Sequence, residues 1–283
     1  MTRLAECLAE HAGTRRLLWI DHLDYTARLL GGGRYPWLEA APCAALLRQA
    51  QGLLRSDVVA LPVAEIVDAW LADAPGLLQV PGETRRRAYG PFKELLAHAD
   101  LRRHVLDLAL ALRAGAAKAV LALVLPSPRD WVAQVLVQAG GRADAVDEDA
   151  VDAAAACLAD FLRLFAEVGI DAVLLRESRP WATDEVALLL ELYRPVSNVA
   201  GHYGWDWGLQ WPEAVVLPPA QAPHFTLAPG ACGAALDGLT VPDAFWQGRV
   251  LPAAEAGSFD MVRIPADAHP ESVLAQLAAL RDR

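Results

Sequence analysis

Short, continuous apolar runs alternate along this chain with longer stretches whose apolar positions recur every three to four residues. The clearest long stretch is Asp147–Gly169. Val151, Ala154, Leu158, Phe161, Leu162 and Phe165 form one stripe there, and Gly169 supplies a stop. On either side, Ala119–Leu125 and Ala172–Leu175 read as strands buried on both faces. Leu17–Ile20 and Asp57–Leu61 read as two earlier strands, the second stopped by Pro62. Helices are predicted over Pro42–Leu54, over Ala64–Ala72, as one or two segments within Pro91–Arg113, and from a cap at Thr183 or Asp184 to Tyr193. Pro75–Gly82 reads as a turn or small hairpin. Val196–Ala200, Ala214–Leu217 and Met261–Ile264 read as further strands, and Pro270 opens a last helix. The Pro- and Gly-rich stretch 218–252 is expected to hold the seventh strand, at Phe225–Leu227 or near Val250. Alternating strands and helices predict a parallel sheet, and charged strand tips between helices suit a single TIM-type (β/α)8 barrel over 1–283.

Composition fits that size. A barrel of this kind takes ~250 residues, and the chain has 283, of which 54% are hydrophobic and 21% charged. That mix builds a core rather than a disordered chain. The net charge of −10 argues against nucleic acid or an anionic membrane as partner. The best candidate span, Val105–Leu125, is broken by Asp107, Arg113 and Lys118. Glu6, Glu10 and His11 stand where a signal peptide needs apolar residues, so a cytoplasmic location is expected. Cys7, Cys43, Cys157 and Cys232 are scattered, with no CxxC pair, which suits a reducing compartment. No metal and no cofactor are expected. The expected partner is a small-molecule substrate, with a homodimer left open.

Four phrases, in chain order, are similar to phrases of the uroporphyrinogen decarboxylase superfamily: Ser56–Asp68, Val168–Arg176, Val196–Gly201 and Asp267–Val273. The resemblance implies a barrel, and with it either decarboxylation or methyl transfer from a corrinoid or folate. The departures are specific. Haem-pathway members carry Arg-Gln-Ala-Gly-Arg-Tyr after the first strand, with arginines for the tetrapyrrole. Here the residues are Asp21-His22-Leu23-Asp24-Tyr25. Glu65 stands near the family's catalytic Asp, slightly out of register, and the Gly-His-Gly loop expected after the last strand is missing. The methyltransferase branch holds zinc through His-x-Cys and a distant Cys. Here that turn reads Asn198-Val199-Ala200-Gly201, with Cys232 as the only distant match. The resemblance thus favours a decarboxylase or related acid/base lyase that has left the tetrapyrrole. Methyl transfer and a barrel that only binds a ligand or partner stand as alternatives.

Three loops carry candidate chemistry. In the first, His22 beside Asp21 suits proton transfer, and Asp24 and Tyr25 could line a substrate; the bland alternative is a helix start. In the second, Arg176 follows an apolar strand and could clamp a carboxylate, with Arg179 and Trp181 beside it and Glu177 as acid or base. A structural Arg–Glu pair is the alternative there. In the third, His202 sits among Tyr203, Trp205 and Asp206, which suits a flat apolar ligand or a mere rim lid. Asn198, Arg129 and Trp131 complete the candidate set with Glu65.

Overall fold

The structure is a computed structural model that describes residues 3–79, 87–116, 119–218, 222–251 and 257–283. Eight parallel strands close into a barrel in chain order. They are β1 (Leu18–Asp21), β2 (Val58–Pro62), β3 (Val120–Pro126), β4 (Ala172–Arg176), β5 (Asp206–Gln210), β6 (Phe225–Ala228), β7 (Leu236–Thr240) and β8 (Phe259–Arg263). β8 pairs with β1, with Asp21 opposite Arg263, so no edge is left.

Successive strand residues face opposite sides of the wall. Trp19, Val58, Ala122, Val124, Leu174, Phe225, Leu227, Phe259 and Met261 pack together inside the barrel. Their neighbours Leu61, Leu121, Leu123, Val173, Leu175 and Leu209 pack outward against helices. Those helices are α1 (Arg3–His11), α2 (Leu23–Leu30), α3 (Ala40–Leu54), α4 (Val63–Asp73), α5 (Gly90–Ala97), α6 (Ala99–Gly115), α7 (Pro128–Gln138), α8 (Glu148–Leu162), α9 (Val186–Leu192), α10 (Arg194–Tyr203) and α11 (Pro270–Arg281). The stretch Pro91–Arg113 divides into two helices, with His98 at the junction accepting the Leu101 N–H. The α8 stripe predicted from periodicity is buried as expected. No helix among the described residues is long and apolar enough to cross a membrane.

α1 closes the bottom of the barrel, and no sequence pattern had flagged it. Leu4 and Cys7 join the interior cluster, and the Leu4 N–H donates to Asp206 Oδ2 at 3.2 Å. Beside it, Arg16 donates two 2.9 Å bonds to buried Asp260.

Four expectations fail in the second half. Val196–Ala200 is helix, the middle of α10, because Val196, Val199 and Ala200 lie three and four apart and form its buried face. Ala214–Leu217 is irregular, and the true fifth strand begins at Asp206. Phe225–Leu227 lies in the sixth strand rather than the seventh, which is β7. Val250 lies in no strand and is exposed. Of Pro75–Gly82, Pro75–Leu78 is a short 3-10 helix and the end of the stretch lies outside the described residues.

Phe225 and Phe259 are wholly buried in the barrel. Their rings occupy the volume that side chains at Gly208 and Gly238 would need, so a Cβ at either position would collide with them. Gly208→Ala is therefore expected to cost about 1–3 kcal/mol through overpacking. Adding Phe225→Leu should recover part of that loss in denaturant melts. A neutral Gly208→Ala would show that the interior is looser than described.

Candidate functional site

At the C-terminal ends of the strands the inward positions become polar. Asp21 ends β1, Arg176 ends β4, Gln210 ends β5 and Arg263 ends β8. Glu65 joins them from the first turn of α4, directly after β2. This is the end where barrels of this architecture carry their sites.

Arg176 is the centre of the group. Its Nη1 lies 3.6 Å from Glu65 Oε1 and its Nη2 lies 3.8 Å from Asp21 Oδ2. Both are ion-pair distances, longer than a hydrogen bond. Its Nε is buried and has no hydrogen-bond partner among the described residues. The guanidinium is thus neutralised from two sides without being saturated. A cavity of about 390 Å³ opens over it, lined by Asp21, Asp24, Tyr35, Glu65, Arg176 and Arg263. Asp24 is on the exposed rim, where Arg263 Nη2 donates to it at 2.5 Å. A second cavity of about 640 Å³ shares Asp24 and Arg263 and runs toward His269 at the start of α11.

Withdrawal from water pushes the Glu65 carboxyl above its ordinary range, and the Arg176 charge opposes that shift. The protonated acid therefore persists to higher pH than for a free glutamate. Burial pushes the His22 imidazole down, against Asp21. His22 sits at the N-terminus of α2 with Nδ1 2.9 Å from the Thr26 hydroxyl, which lies 2.5 Å from the Tyr35 hydroxyl. Burial raises Tyr35 to about 12.

The remaining candidates are elsewhere. Glu177 follows Arg176, so its side chain leaves the barrel wall on the other side. Buried there, it accepts from Arg129 Nη2 at 2.5 Å and from the Tyr193 hydroxyl at 2.6 Å. Its pKa is raised by burial, against Arg129 and the Tyr193 bond. Glu177 is thus a structural partner of Arg129, not a mouth acid. The alternative Arg176–Glu177 pair does not form; the structural arginine partner of Glu177 is Arg129. Arg179 is exposed and bonded to Glu185, whose carboxyl is held down to about 2 chiefly by that bond. Trp181 packs edge-on against Tyr193 and Trp211, Trp131 against Phe92, and Tyr25 is buried beside α11. These three are core.

His202, Tyr203 and Asn198 ride on α10, which runs to the opposite end of the barrel. Asp206 opens β5 level with Ala172, the first residue of β4, so it lies at the barrel bottom with Trp205 stacked on Tyr203. None of these five reaches the mouth. Reading Val196–Ala200 as a strand had inverted the loop.

Arg263, Gln210 and Tyr35 were missed. Arg263 had a signal, because it stands in a strand already predicted from Met261 to Ile264. Gln210 had none, because its strand went unrecognised.

Stability separates the two neighbouring charges. Glu177→Ala should lose about 3–5 kcal/mol, because half-buried Arg129 loses its main partner and the buried Tyr193 hydroxyl loses its acceptor. Arg176→Met should melt close to the unaltered protein, since its own partners are loose. Equal losses in thermal melts would contradict this division.

No family model matches the chain. No curated protein matches it. Among solved structures, a methyltransferase from Methanosarcina mazei is similar, with a TM-score of 0.61 over 98% of this chain and 97% of that one, at 15% sequence identity. That likeness is one of fold: both chains form the same kind of barrel over their whole lengths.

Proposed function

We propose that this barrel is an enzyme whose mouth binds a small anionic substrate through Arg176 and transfers a methyl group to or from it. The observation that carries the reading is Arg176 itself. A guanidinium at the floor of a cavity, with two carboxylates beyond hydrogen-bond reach and Nε unpartnered among the described residues, is poised for an incoming carboxylate. The whole-length likeness to a methyltransferase supports this reaction class ahead of decarboxylation.

A neutral oxygen, nitrogen or sulfur that gives up a methyl group leaves an anion that must gain a proton, and a neutral acceptor must lose one. Glu65 suits this role, next to Arg176 and with a carboxyl whose pKa is raised by partial burial. Asp21, on the other side of Arg176, balances the charge when no anion is present. The methyl carrier, a corrinoid or folate on the sequence resemblance, would reach the mouth as a second ligand.

The zinc ion that the resemblance implies does not fit these residues. Asn198 is exposed on α10, and Cys232 is buried with its N–H donating to Asp237. No group of three or more His, Cys, Asp or Glu among the described residues could hold a metal. No step is therefore assigned to a metal. Decarboxylation of the same anion is the second reading, favoured by protonated Glu65 within reach of a carbanion formed beside Arg176.

The test is a mass-spectrometric screen of methylated and unmethylated small acids, run with methylated and unmethylated corrinoid and folate carriers. Gain or loss of a methyl group supports the proposal, whereas release of labelled CO2 moves the assignment to the second reading. Glu65→Gln should keep anion binding and lose turnover. With Glu65 as acid, the rate should fall as pH rises through its raised pKa, because the protonated form disappears. A Glu65→Gln enzyme with unchanged rate and pH profile would remove Glu65 from the mechanism.

A further inference from the structure

One polar strand end beside Arg176 has no role so far. Gln210 ends β5 in register with Arg176, on the neighbouring strand. Leu209 and Trp211 pack into the outer core, so strand alternation turns Gln210 inward, beside Arg176. Beneath it, Gly208 leaves room for the Phe225 ring, which closes the floor. Gln210 Oε1 is buried and has no hydrogen-bond partner among the described residues.

A buried amide oxygen without a partner is costly, and so is a buried guanidinium Nε. The two residues are paired across β4 and β5, and their orphaned groups are complementary in kind. Arg176 Nε offers a hydrogen. The Gln210 amide oxygen needs one, which a hydroxyl or an ammonium group can give. A plain carboxylate satisfies only Arg176. A carboxylate with a hydroxyl or amine on the adjacent carbon satisfies both.

We infer that Gln210 is a specificity-determining residue, which with Arg176 selects an anion bearing a hydroxyl or amine next to its carboxylate over the unsubstituted acid. The inference rests on the reading of the mouth as an anion site. It differs from that reading in what it predicts. The anion reading requires only Arg176, whereas selection requires Gln210. A pocket whose buried polar group is left unpaired by the wrong ligand rejects that ligand more strongly than one that merely lacks a contact.

The probes are lactate and propionate, which share a carbon skeleton and differ by the hydroxyl. Binding is read by ligand-observed NMR titration of the whole chain. The unaltered protein should bind lactate roughly tenfold more tightly than propionate, the scale of one hydrogen bond to a buried group. Gln210→Met should bring lactate to the level of propionate while propionate binding stays unchanged. Gln210→Asn, which keeps the amide but withdraws it, should do the same and serves if the Met variant fails to fold. Arg176→Met should weaken both acids together. If Arg176→Met binds both acids as before, the anion reading falls. Where Arg176→Met loses both but Gln210→Met keeps the preference, the selection inference alone falls. Equal binding of the two acids by the unaltered protein overturns the inference, and binding of neither acid overturns it together with the anion reading.

Discussion

Adjacent residues of a strand face opposite sides of a barrel wall, and at the tip of β4 that constraint separates two charges. Arg176 turns into the mouth and Glu177 turns out toward α7 and Tyr193. Everything proposed about this protein depends on that parting. Had the two side chains paired, Arg176 would be spent in the barrel wall, and Arg129 would lose its closest carboxylate. Instead Glu177 is used up in fixing the wall. Arg176 is left to Asp21 and Glu65, which neutralise it at a distance without filling its donors.

The legible part of the fold was the part buried on both faces. β2, β3 and β4 are continuous apolar runs, and such runs announce themselves. β5 and β7 do not, because inward positions such as Asp206, Gly208, Gln210 and Gly238 are polar or absent where Phe225 and Phe259 fill the space. A strand that relies on its neighbours' side chains has no hydrophobic pattern of its own. The same blind spot hid α10. Pro195 and two valines look extended, yet Val196, Val199 and Ala200 bury a helical face and Gly204 ends it in the left-handed region.

Candidate residues sorted by the same rule. Asp21, Glu65 and Arg176 belong to elements recognised from the sequence, and the structure brings them together with Asp24 at the rim. The aromatic cluster from His202 to Asp206 fell to the opposite end once its strand became a helix. Its Tyr203 and Trp205 rings pack in the outer core, and Asp206 holds α1 at the barrel bottom. Glu177 could not have been placed without the register of β4, because its neighbour's chemistry gave a plausible partner in either direction.

The role proposed for Arg176 is that of an unsaturated anion receptor inside the mouth. The most direct measurement is NMR of the arginine Nε–H groups in 15N-labelled protein during titration with a small carboxylate, with Arg176→Met used to assign the resonance. The Arg176 Nε–H should be unusual in the free protein and should move downfield as the anion binds, while Arg129, held against Glu177, stays still. An Arg176 resonance that ignores every added anion, or one that tracks the ionisation of Glu177, would contradict the account.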